Sequence, residues 1–250
     1  MDLHARRADS FGAHAFAYAE HRPDYPVAAV RWALEPLGTG HLDVLDLAAG
    51  TGKLSSVLIA EGHRVTAVEP NEAMLSELVR RVHDVRALPG HAEHIPVPDG
   101  TVDAVLVGQA FHWFDPLKAY PEIARVLRPG GVVAGLWNEL DVSVPWVDEL
   151  DDAARSSVSS ARTEVVDTMP PHPLFADGAV AEFPHAQRRA SPEEYAATIG
   201  THSHALVVSE EERAELMDRV VRFLYARPET SSGPFDVPLV TTVKRLVLAG

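Results

Sequence analysis

Val44-Leu45-Asp46-Leu47-Ala48-Ala49-Gly50-Thr51-Gly52-Lys53-Leu54 decides the fold. A short apolar run ends in an acid, turns through small residues and enters a helical pattern at once. Small residues let backbone N–H groups, and the positive end of the helix that follows, come close to a ligand. The stretch therefore reads as strand, ligand-binding turn, helix.

On either side the same alternation continues. Residues 42–48, 64–70, 84–88, 102–110 and 131–138 read as strands rich in Val, Leu and Ala; 53–61, 71–82 and 115–127 read as helices between them. Nearly continuous apolar strands alternating with helices mark a parallel sheet covered on both faces, the doubly wound α/β class. Such sheets bind ligands outside the carboxyl ends of their strands.

Before this block, helical stretches are expected over 13–20 and 27–37, separated by His21-Arg22-Pro23-Asp24-Tyr25-Pro26. After Leu140 the rhythm changes to a helix near 147–157, a strand over 179–189, and two helices opened by Ser191 with Glu194 and Ser209 with Glu212. A last strand is expected within 238–250. The expected organisation is one domain: a ligand-binding core over 42–138, a helical cap over 1–40 and an acceptor-side part over 140–250.

Composition narrows the chemistry. With 250 residues, 46% hydrophobic and 23% charged, the chain can bury a core without staples. It has no Cys, which removes thiolate metal sites and thiol nucleophiles together. A net charge of −14, with no basic run longer than a dipeptide, counts against nucleic acid as partner. With no apolar leader and no long apolar stretch, the expectation is a soluble cytoplasmic protein without a membrane partner.

Three ligand classes use turns of this kind. A P-loop would need Gly at Leu47 and a hydroxyl residue at Leu54, so it fails at both ends. A dinucleotide fingerprint starting at Gly50 and Gly52 would need Gly at Ser55. The third class is the class I S-adenosylmethionine-dependent methyltransferases, whose D/E-x-G-x-G-x-G turn the sequence resembles at Asp46, Gly50 and Gly52, with Ala48 in place of the first Gly.

The resemblance extends to five further stretches. Val68-Glu69-Pro70-Asn71 ends the second strand, with Glu69 seventeen residues after Gly52. A carboxylate there can accept from both ribose hydroxyls, or it can serve as a helix N-terminal acid. His91-Ala92-Glu93-His94-Ile95-Pro96-Val97-Pro98-Asp99 is similar to the stretch whose Ala-Glu pair meets the adenine, so Ala92 and Glu93 are implied there. Val107-Gly108-Gln109-Ala110-Phe111-His112-Trp113-Phe114-Asp115 follows the fourth strand, and Leu127-Arg128-Pro129-Gly130-Gly131 leads into the fifth. Tyr18 to Pro26 looks like the R-P-x-Y-P segment of one small-molecule subgroup, which implies Tyr18 and Arg22 at the cofactor. The resemblance implies a Rossmann-like, mostly parallel seven-stranded sheet with an antiparallel C-terminal pair, and S-adenosylmethionine bound by Tyr18, Arg22, Asp46, Ala48, Gly50, Gly52, Glu69, Pro70, Ala92, Glu93 and Gln109.

The implied reaction is methyl transfer to an oxygen, nitrogen or carbon of a small-molecule acceptor. A tRNA or protein methyltransferase, a non-catalytic cofactor-binding protein and a dinucleotide oxidoreductase are the alternatives. His112 is the candidate base, flanked by aromatics, and packing is its other reading. Trp113, Phe114 and Trp137 line an acceptor pocket or fill core. His202 and His204 form a weaker pair. No metal site is expected from His91 and His94.

Overall fold

In a computed structural model, residues 20, 22–159, 168–176 and 178–250 are described. The helices are α1 (Val27–Leu34), α2 (Lys53–Ala60), α3 (Glu72–Arg81), α4 (Pro116–Val126), α5 (Pro145–Ala153), α6 (Pro192–Ile199), α7 (Ser203–Leu206) and α8 (Glu210–Tyr225). The strands are β1 (Asp43–Leu47), β2 (Arg64–Glu69), β3 (Val85–Pro89), β4 (Val102–Gly108), β5 (Leu127–Leu140), β6 (Ala179–Arg189) and β7 (Phe235–Val247). They form one seven-stranded sheet in the order β3-β2-β1-β4-β5-β7-β6. β1 to β5 run parallel, and the C-terminal strands are antiparallel.

The reversal of strand order beside β1 opens the crevice in which such sheets hold ligands. On one sheet face Leu45, Val105, Val107 and Trp137 pack with Phe111, Tyr120 and Ile123. On the other, Val44, Ala104, Leu106 and Leu136 pack with α1 and α2 through Val30, Leu34, Leu54 and Leu58. Alternate residues of each strand thus serve opposite faces, which is why the strands read as continuous apolar runs.

The chain divides into two units. One holds Asp24–Asn138, the described part of 164–183, and Thr241–Gly250; the other holds the described parts of 1–23, 139–163 and 184–240. The second unit has its own core, in which Leu150, Tyr195, Ile199, Leu216, Val220 and Leu224 meet Phe235, Val237 and Leu239.

Over residues 42–138 the strands and helices fall where the sequence placed them, with one difference. β5 begins at Leu127, four residues earlier than the expected 131, because the Pro-Gly-Gly turn is absorbed into the strand. Val102 faces Leu127 while Ala104 faces Val132, so Arg128–Gly131 bulge out of the ladder, with Gly130 at φ 76°. α4 keeps Pro121 inside it and begins from a cap at Asp115, whose side chain accepts from Leu117 N–H. The helix expected over 13–20 lies outside the described residues apart from Glu20.

Candidate active site

β1 carries Asp46 into the interior at its carboxyl end, where 1% of the residue is exposed. One carboxylate oxygen, Oδ2, accepts from Ser55 Oγ at 2.6 Å. The other, Oδ1, is buried without a hydrogen-bond partner. Desolvation pushes the Asp46 pKa up to about 7; the Ser55 bond opposes this and the nearby Glu69 charge adds to it.

The turn then winds through left-handed backbone at Ala48 (φ 57°), Gly50 (φ 56°) and Gly52 (φ 84°). That conformation costs an L-residue about 1–2 kcal/mol, so Ala48 carries strain that Gly would not. The two glycines serve different ends. A Cβ on Gly50 would meet nothing within 4 Å, whereas one on Gly52 would lie 2.6 Å from Val82 Cγ2 and 2.9 Å from Leu78 Cγ. Gly52 lets α2 start against the end of α3; Gly50 leaves the open side of the turn clear.

Glu69, the last residue of β2, is 7% exposed. Its Oε2 accepts from Gly50 N–H and its Oε1 from Asn71 N–H, both at 2.9 Å. Burial raises its pKa, while these two bonds and the charge of His91 act against the rise. Each oxygen keeps acceptor capacity after one N–H bond. The carboxylate therefore braces the turn against α3 and still has lone pairs for hydroxyl groups. Asn71 rather than Glu69 caps α3, its side chain accepting from Ala73 and Met74 N–H at 3.1 Å. Pro70 is exposed between them.

β3 pairs Pro89 with Glu69, which brings the loop after β3 to the same end of the sheet. There Ala92 is buried, and His91 and His94 form an isolated bridge. Glu93 turns toward the next element, its Oε1 accepting from Asp115 N–H at 2.9 Å at the start of α4. Among the described residues no group of three or more His, Cys, Asp or Glu is placed to hold a metal.

At the end of β4, Gly108 lies under the Tyr25 ring, with a Cβ position only 2.5 Å from the Tyr25 hydroxyl. Gln109 follows in left-handed backbone (φ 60°), and its Nε2 donates to Asn138 O at 2.7 Å. Asn138 Nδ2 donates to Asp24 O at 3.2 Å, and Lys53 pairs with Asp24 at 2.9 Å. Asp24 and Tyr25 are thus tied to the start of α2 and to the ends of β4 and β5. His112 lies exposed on a 3-10 turn (Phe111–Trp113), its ring 4.5 Å from that of Trp113. Trp113 and Phe114 are half-buried against the core. Trp137 is fully buried, with its indole folded over Gly135 and its Nε1 lacking a hydrogen-bond partner.

Arg22 belongs to the second unit, where its Nη2 donates to Thr201 O at 3.4 Å. Tyr18 lies outside the described residues. His202 and His204 also belong to the second unit; His204 Nδ1 sits 3.1 Å from Ser156 Oγ, and burial followed by the Arg22 and His204 charges holds His202 well below its ordinary pKa. The structure brings together Asp46, Ala48, Gly50, Gly52, Glu69 and Ala92. Sequence reasoning missed Ser55 and Asn138, whose roles depend on partners 9 and 114 residues away. A serine one helical turn inside α2, on the side facing β1, was the available signal for Ser55.

A methyltransferase-domain profile matches residues 45–135. An uncharacterized methyltransferase of Mycobacterium tuberculosis is 37% identical over 241 residues, 96% of each chain. A demethylmenaquinone methyltransferase of Beutenbergia cavernae is 39% identical over 89 residues, 35% of this chain and 37% of the relative. Among solved structures, a protein from Anaeromyxobacter dehalogenans assigned as a type II methyltransferase superposes with a TM-score of 0.69 at 27% identity, over 90% of this chain and 97% of that one.

Proposed function

We infer, from the premise that this chain belongs to the class I S-adenosylmethionine-dependent methyltransferases, that it transfers the methyl group to an oxygen, nitrogen or carbon nucleophile of a small molecule. The observation that carries the reading is the Glu69 carboxylate, locked by two N–H groups beside the open side of Gly50 and still able to accept.

The residues present fit the cofactor. Glu69 would take the ribose hydroxyls, the 48–52 turn would admit the amino-acid portion past Gly50, and Ala92 with Glu93 would bound the adenine. Asp46 Oδ1 is a buried acceptor without a donor, suited to a cationic or N–H-bearing ligand reaching the turn. Bound there, the cofactor supplies a methyl group on a sulfonium whose positive charge is lost as the methyl leaves. What the protein contributes is alignment and exclusion of water rather than strong acid or base chemistry. If the acceptor must shed a proton, His112 is the exposed imidazole at the end of β4 placed to take it. Trp113 and Phe114, half-buried beside it, offer an apolar wall to the acceptor.

A small acceptor is supported by the net charge of −14, which repels a polyanion, and by the demethylmenaquinone-acting relative. Transfer of labelled methyl from S-adenosylmethionine into a cell extract tests the reading. Label is expected in the fraction soluble in trichloroacetic acid or extracted by organic solvent; label confined to precipitated RNA or protein would reject it.

A further inference from the structure

The loop between β3 and β4 is held from outside the cofactor site by two side chains of α4. Glu122 Oε2 accepts from Ile95 N–H at 2.9 Å. Arg125 donates from Nη2 to Ile95 O and from Nη1 to Val97 O, both at 2.9 Å, and from Nη1 to Asp99 at 2.7 Å. Its Nε and Nη2 donate to Glu122 at 2.8 Å. A guanidinium has five N–H donors, and these contacts use all five. Both backbone polar groups of Ile95 are thereby fixed, three residues beyond Ala92. On the other flank, Glu93 anchors to Asp115 N–H.

We propose that Glu122 and Arg125 are positioning residues which set the backbone of the Ala92–Val97 loop and, through it, the enzyme's selectivity for adenine over other bases in the cofactor. The inference rests on the reading of Ala92 and Glu93 given under the proposed function. A lysine cannot replace the arginine: its single ammonium has three donors and no planar fork to span two carbonyls and two carboxylates. The pair is charged across the working pH range, because the Arg125 bond holds Glu122 below the usual carboxylate range and Glu122 raises Arg125. At the opposite, amino ends of the strands, Arg128 makes a comparable clamp with Asp43 and Asp103, at 3.0 and 2.6 Å, and touches no part of the loop.

Isothermal titration with S-adenosylhomocysteine and S-inosylhomocysteine tests this on wild type, Arg125→Lys, Glu122→Gln and Arg128→Ala. Inosine carries a proton on N1 and an oxygen in place of the amino group, so a fixed loop distinguishes the two. Wild type is expected to prefer adenine at least tenfold. Arg125→Lys is expected to cut that ratio about tenfold, Glu122→Gln about threefold, and Arg128→Ala to leave it unchanged. Parallel weakening of both ligands in the α4 variants, an unchanged ratio, or a wild type that binds both equally would overturn the inference while leaving the cofactor reading standing. Binding of neither ligand by wild type would overturn both. If Arg125→Lys fails to fold, Glu122→Gln, which keeps the acceptor for Ile95, carries the test.

Discussion

Replacing Gly50 and Gly52 one at a time by alanine separates the two demands placed on the turn. At Gly52, φ is 84° and the added Cβ would lie 2.6 Å from Val82 Cγ2 and 2.9 Å from Leu78 Cγ, both on branched, buried side chains. Overpacking costs about 1–3 kcal/mol and the left-handed backbone about 1–2, offset by about 0.4–1 from the stiffer unfolded chain, so the net loss centres on about 3 kcal/mol within a span of about 1–5. For a chain of this length that is a fall in Tm of roughly 5–15 °C. At Gly50 the backbone strain is similar but the Cβ enters open space, so the loss is on the order of 1 kcal/mol. The methyl would instead occupy the side on which the cofactor is expected. Affinity for S-adenosylhomocysteine should then fall at least about tenfold, or about 1.4 kcal/mol. Thermal unfolding and titration calorimetry on both variants make the comparison. Equal Tm losses, or wild-type affinity in Gly50→Ala, would refute the assignment of packing to one glycine and ligand approach to the other.

Three further outcomes follow from the same geometry. Because the folded pKa of Asp46 is raised to about 7, the native state holds a proton that the unfolded state has lost, and stability falls as pH rises from about 4 to about 7. Asp46→Asn should remove that decline, so its Tm advantage over wild type should grow between pH 5 and pH 8; a constant difference would contradict the buried, desolvated carboxyl. Once an acceptor is in hand, His112→Ala should lower kcat by about 100-fold if the acceptor must lose a proton, with S-adenosylhomocysteine affinity within about twofold of wild type. Equal turnover would remove His112 as a base. Ala48→Gly should raise stability by up to about 1 kcal/mol in urea unfolding, since it relieves left-handed strain at φ 57°; a loss would mean the methyl is needed for packing.

How legible the site was depended on where its partners lie in the chain. Asp46, Gly50, Gly52 and Glu69 could be read because a parallel sheet delivers consecutive strand ends to one edge, so local motifs map directly onto neighbouring positions. The capping boxes were legible because they are local: Ser191 and Ser209 each accept from the N–H three residues on. Contacts fixed by tertiary packing were not. Nothing local ties Glu122 to Ile95 across 27 positions, or Asn138 to Asp24 across 114. The indole of Trp137, equally suited on sequence to a pocket wall or a core, is buried over Gly135 because β5 turns that face inward. Ala48 showed as a departure from a glycine pattern, but its strain needed the backbone angle.

Titration of S-adenosylmethionine into wild type and Glu69→Ala tests the central claim most directly. Wild type should bind one equivalent, and loss of the carboxylate that braces Gly50 and is proposed to accept from both ribose hydroxyls should weaken binding by about 100-fold, at about 1.5 kcal/mol or more for each charged hydrogen bond. Failure of wild type to bind, or an unchanged Kd in Glu69→Ala, would contradict it.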